Sequence, residues 1–198
     1  MAAKKPVVLV GTWPPRRCGI ATFAEEALEF IRKHEPDRPA FVICHTDGRG
    51  PNVFPLIDMS RADWYEPVVR KIRELDPYVV HCQHEYGIYN YVDEQGRSDM
   101  NEGFLRMLEA LPDVPSVVEP HTVHGRMKEH EEQFIRRLAA ACNVLLFKCH
   151  YQKWRLDWTF STHGWTRPHN IMIVPHGARP DRRYAIDQVD RLKEDLGL

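Results

Sequence analysis

The sequence predicts a doubly wound, Rossmann-like α/β domain, a parallel sheet with helices on both faces. Three observations carry this expectation. Short apolar runs recur from one end of the chain to the other. Amphipathic stretches at helical spacing separate them. The runs are apolar at successive positions rather than at alternate ones, the pattern of strands buried on both faces. With 198 residues the chain has enough material for one well-cored domain and too little for two large ones.

Residues 6–11 read as the first buried strand, bounded by Pro6 and Gly11. Residues 22–34 follow as a helix: Thr22 and Glu25 have capping-box spacing, and Phe23, Ala27, Phe30 and Ile31 share one face. A second strand spans residues 40–44, and a second helix spans 61–75, stopped by Asp76 and Pro77. Residues 78–83 form the next strand, then a polar loop bearing tyrosines and a helix around 101–111. Residues 116–119 are a strand running into Pro120, His121 and Thr122. Phe134, Leu138 and Ala141 mark a helix near 127–141. A strand at 143–147, a helix from Tyr151, a strand at 171–174 and an exposed helix at 187–196 complete the order. The stretch 157–170, with Trp158, Gly164, Trp165 and Pro168, breaks the pattern and is expected to be irregular.

Composition narrows the function classes. The chain is 43% hydrophobic and 28% charged, an ordinary globular balance, with a formal net charge of -1. Nothing in that balance calls for nucleic acid as a partner. Five cysteines, at 18, 44, 82, 142 and 149, are scattered and form no C-x-x-C pair, against both a disulfide framework and a zinc knuckle. A reduced, cytoplasmic setting is expected. The apolar run at 7–10 is too short for a signal peptide, and no window approaches a membrane span. Peripheral membrane contact and homodimer formation stay open.

In doubly wound sheets ligands bind outside the carboxyl ends of the strands, and four such segments have the chemistry for a site. In the first, residues 11–22, Gly19 would let a ligand approach the backbone and a helix N-terminus would offer N–H groups to an anion, with Arg16 and Arg17 adding charge. It lacks the G-x-G-x-x-G fingerprint, and a tight turn with solvated arginines is an equal reading. In the second, His81 and His84 flank Cys82 and Gln83. Strand alternation sends the two histidines to opposite faces, against a shared metal. The strand end would give polar contacts to a hydroxylated ligand, or His81 would be a satisfied core residue. In the third, His121 lies just past a strand, where an imidazole can hydrogen-bond a sugar or move a proton; a loop histidine is the alternative, and His124 is a weaker candidate. The fourth, residues 174–181 with Pro175, His176 and Gly177, favours a structural turn. Tyr86, Tyr89 and Tyr91 form an aromatic loop suited to flat amphipathic ligands or to packing over the sheet edge.

Taken in order, these segments resemble the N-terminal domain of family 4 retaining glycosyltransferases of the GT-B fold. Residues 14–23 resemble the glycine-bearing loop of a bacterial subgroup; Gln83, His84, Glu85, Tyr86, Gly87 and Ile88 match its Q-H-E-[FY]-G-I motif. His121, Thr122 and Val123 match H-T-V, and Ile173, Pro175, His176 and Gly177 carry its I-P-H-G. The resemblance implies one half of a GT-B fold that helps transfer a sugar from a nucleotide-sugar to a hydroxyl acceptor with retention. It implies no metal and no cofactor beyond the nucleotide-sugar as co-substrate. Gly19, Arg17 and Ile20 would meet the donor diphosphate. His121 would be catalytic, beside donor sugar and acceptor, and His84, Glu85, Tyr86, Tyr89 and Thr122 would shape the acceptor pocket.

By the same resemblance residues 1–186 are the acceptor-side domain, and 187–198 begin the connection to a donor-binding domain acting in cis or in trans. This chain alone is then expected to be inactive. The loop 89–97 replaces a short glycine-rich turn, so the acceptor is expected to differ. Two other readings compete: a standalone sugar- or nucleotide-binding module without catalysis, and an unrelated small α/β enzyme built on the histidines.

Overall fold

The computed structural model describes residues 4–177 and 186–197. Among these residues seven strands form one wholly parallel sheet: β1 (Val7–Gly11), β2 (Ala40–His45), β3 (Val53–Ile57), β4 (Val79–His84), β5 (Ser116–Pro120), β6 (Val144–Phe147) and β7 (Ile171–Ile173). Their order across the sheet is β3-β2-β1-β4-β5-β6-β7. The expected doubly wound architecture is therefore present, and the order reverses between β1 and β4. That reversal leaves a crevice at the carboxyl ends of these two strands.

Among the described residues six α-helices connect or follow the strands: α1 (Gly19–His34), α2 (Tyr65–Leu75), α3 (Glu102–Glu109), α4 (Glu129–Ala141), α5 (His150–Thr162) and α6 (Ile186–Leu196). The sheet separates two apolar clusters. On one face Val8, Val10, Val80, Cys82, Val118, Leu145 and Phe147 meet Val68, Ile72, Phe104, Leu108, Phe134, Leu138, Leu156 and Phe160. On the other, Leu9, Val42 and Cys44 meet Ala24 and Leu28 of α1, with Trp13 closing the cluster. At the far edge of that second face Met172 and Val174 stay exposed.

Several local expectations need correction. α1 starts at Gly19 rather than Thr22: Cys18 is its N-cap, the Ala21 N–H reaching Cys18 Sγ at 3.4 Å, while Thr22 is already inside the first turn. Thr22 and Glu25 therefore do not form a capping box. β3 was not apparent from the sequence because Pro55 interrupts it; at the sheet edge one missing N–H is tolerated. Residues 157–162 are the last turns of α5, with Thr159 and Phe160 buried, so only 163–170 are irregular. α2 and α4 begin four and two residues later than expected, at Tyr65 and Glu129. Of the segment 174–181, residues 178–181 lie outside the described residues.

Candidate functional site

The site is written by strand alternation. Gln83 of β4 lies opposite Glu119 of β5, so both side chains project from the same face, together with His81 two residues before and His121 two residues after. Their odd numbering puts all four on the α1 side of the sheet. The even positions Val80, Cys82 and His84 face the larger core instead.

Glu119 is the centre of this row and is 0% exposed. His81 Nε2 is 3.0 Å from Glu119 Oε2, and the Gln83 amide donates to the same oxygen at 3.2 Å. Glu119 Oε1 has no hydrogen bond of good geometry; its compensation is the ion pair with Lys148 at the end of β6. Burial alone would raise the carboxyl pKa, but the His81 hydrogen bond and the Lys148 charge outweigh it and hold the group at about 2. Gln83 Oε1 in turn meets His121 Nε2 at 2.5 Å. Burial, reinforced by the Lys148 and His176 charges and opposed by Glu119 and Glu85, lowers the His121 pKa. Gly11 makes room for this arrangement: a Cβ there would stand 3.2 Å from Gln83 Cβ.

Helix α1 delivers the other wall. Phe23 packs edge-on to His121 at 5.8 Å, stacks on His176 at 4.7 Å, and carries Lys148 Nζ over its ring at 4.2 Å. Gly19 lies one turn before Phe23, on the same helix face. Its missing side chain faces open space, since a Cβ would have nothing within 4 Å. The first turn of α1 carries no acidic residue to oppose an anion at the helix N-terminus, and the Cys18 thiol already takes the Ala21 N–H there. Arg16 is tied to Asp47 at 2.8 Å, whereas Arg17 is exposed with no ion pair among the described residues. Ile20 is half-buried beside it.

Beyond β4, Glu85 accepts the Tyr86 N–H at 2.9 Å and the Thr122 hydroxyl at 2.5 Å, joining the ends of β4 and β5. Tyr86 stacks on His124 and lines a cavity of about 240 Å³ with Gly87, Asn90, Ser98 and Asn101. The structure moves two expected acceptor residues elsewhere. His84 is 1% exposed, bonded to Asn101 and packed among Tyr89, Phe104 and Phe134, and burial drives its pKa down to about 3. Tyr89 is 0% exposed, and its hydroxyl donates to the Gln83 carbonyl at 3.0 Å. Both brace the strand end from behind, and neither has a surface for a ligand. A larger concavity of about 690 Å³, lined by Arg136, Trp165 and Asn170, lies at the opposite end of β6 and β7, away from this chemistry.

Glu119, Gln83 and Lys148 were not assigned roles from sequence. Period-two counting would have found Glu119 from His121 along β5 and Gln83 from His81 along β4, because all four fall on one face. Lys148 lies in a strand-end segment, 148–152, to which the fold rule points, but its pairing with Glu119 depends on how far β6 runs before α5 turns away.

No family model matches the sequence, and no curated protein matches it. Among solved structures, Anabaena HepE in complex with UDP and glucose aligns at a TM-score of 0.55 and 10% identity over 97% of this chain and 50% of that one. The lipopolysaccharide outer core galactosyltransferase WaaB, in its apo form, aligns at 0.55 and 10% identity over 87% of this chain and 46% of that one. The chain spans about half the length of these proteins. It thus has the fold of half of each, a single Rossmann-like α/β domain.

Proposed function

We propose that the chain is the acceptor-side domain of a family 4-type glycosyltransferase that moves a sugar from a nucleotide-sugar to a hydroxyl, with retention. In that reaction the bond from the anomeric carbon to the diphosphate breaks, a bond to the acceptor oxygen forms, and the hydroxyl proton passes to the departing diphosphate. The supporting observation is the convergence of two features at the carboxyl ends of the central strands: the α1 N-terminus, free of acidic residues and with Gly19 open to space, and His121 packed on Phe23, one helical turn beyond Gly19. Arg17, Gly19 and Ile20 would hold the diphosphate, with His121 beside the transferred sugar. Glu85, Tyr86 and Thr122 would shape the acceptor side. No metal enters this proposal; the nucleotide-sugar is a co-substrate. A donor-binding domain, in cis or in trans, would complete the site, so this chain alone would bind weakly and not turn over.

Titration of the 15N-labelled chain with UDP-glucose, with and without a chelator, tests this. Shifts confined to Gly19, Ile20 and the His121 surroundings, unaffected by chelation, are expected. Gly19→Ala should abolish them while leaving stability within about 1 kcal/mol, because the new methyl meets no protein atom and alanine is the better helix residue. Shifts centred elsewhere, or turnover by the 198-residue chain alone, would overturn the proposal.

A further inference from the structure

We infer that Glu119, acting through Gln83, locks His121 in the tautomer protonated on Nε2, leaving Nδ1 as a lone pair for a ligand. Glu119 is an obligate acceptor, ionised between His81 and Lys148. Of the two ends of the Gln83 amide, only the nitrogen can face Glu119 Oε2 at 3.2 Å; the oxygen there would set two acceptors against each other. The amide oxygen must then point the other way, toward His121 Nε2 at 2.5 Å. An oxygen accepts, so Nε2 carries the proton. Which ring nitrogen is protonated follows from the bond the other partner demands.

Nδ1 has no hydrogen-bond partner among the described residues. The groups that bear on the ring's charge are Glu119, Glu85, Lys148 and His176, and with burial they leave it easier to deprotonate than a free histidine. At neutral pH the ring is thus a hydrogen-bond acceptor, not a donor, toward whatever occupies the crevice. That chemistry selects a hydroxyl over a carbonyl or an anionic oxygen. If the glycosyl-transfer reading holds, Nδ1 receives a hydrogen bond from a sugar or acceptor hydroxyl. Gln83 and Glu119 are then positioning residues, acting on the ligand only through His121.

Long-range 1H–15N correlation of the histidine rings in the ligand-free 198-residue protein at pH 8 reads the tautomer directly, with His121 assigned by its loss in His121→Asn. A single neutral form protonated on Nε2 is expected. In Glu119→Gln the new amide can present either end, Gln83 is released, and His121 should become a mixture of tautomers. Gln83→Met, which leaves Glu119 paired with His81 and Lys148, should do the same and covers the case in which Glu119→Gln does not fold. A wild-type ring protonated on Nδ1, or already mixed, overturns the assignment. An unchanged Nε2–H pattern in the folded variants overturns the role of Glu119 and Gln83. Because no ligand is present, these spectra stand or fall separately from the UDP-glucose titration.

Discussion

Three buried ionisable residues set how the protein meets acid. His45 and His84 are 4% and 1% exposed, and burial lowers their pKa values to about 4 and about 3, so both are neutral in the folded state at neutral pH. The unfolded chain takes up protons on both below about pH 6.5, while the folded chain resists until their lowered values. Stability present above pH 6.5 is therefore lost as pH falls, by about 2 kcal/mol for each histidine by pH 5. Glu119 adds a later component: its carboxylate is held at about 2, so its contribution is full above pH 4.5 and disappears as pH falls through 2. The urea midpoint should drop steeply between pH 7 and 5, and His84→Gln should remove about one proton from that slope. A flat profile would mean that these histidines are not buried neutral.

At the level of elements, α3 docks on α2 through one close approach. A Cβ at Gly103 would stand 2.6 Å from Trp64 Nε1 and 3.0 Å from Cε2, and Trp64 is 0% exposed, so the indole has nowhere to move. Overpacking of this kind costs about 1–3 kcal/mol, more than the gain in helix propensity. Gly103→Ala should lower the melting temperature by roughly 2–4 °C per kcal/mol lost; an unchanged value would mean that the two helices slide freely. Most elements were legible: α1 to α5 and six of the strands from apolar spacing, and α6 as an exposed helix at 187–196. What escaped depended on tertiary context. Pro55 hid an edge strand, Cys18 replaced a hydroxyl as the cap of α1, and the aromatic end of α5 looked irregular because its residues are split between core and surface. The site was half legible. His121, Glu85, Tyr86 and Thr122 lie at strand ends where the fold rule points, but His84 and Tyr89, from the same motif, face the core because alternation turns them there.

For the whole molecule, the sheet order determines when the domain can close. β1 is a central strand: Val7 meets Ala40 of β2 on one side and Val79 of β4 on the other. Apart from β2 and β3, which a short connection joins, every pairing in the sheet joins segments distant in sequence, so folding should be slow for the size, in the millisecond-to-second range by stopped-flow fluorescence. The same order matters during synthesis. β1 is paired on one side once β2 has been made, but its second edge, with Val8 and Val10, waits for β4. A nascent chain halted at residue 77 would hold β1, β2, β3, α1 and α2 and still expose that apolar edge. Such a fragment is expected to aggregate on expression while the 198-residue chain stays in solution; recovery of a soluble, cooperatively unfolding fragment would show that the first three strands form a unit of their own. The edge of β1 therefore stays open through the whole of β2, β3 and α2, which leaves the growing chain dependent on chaperones until β4 appears.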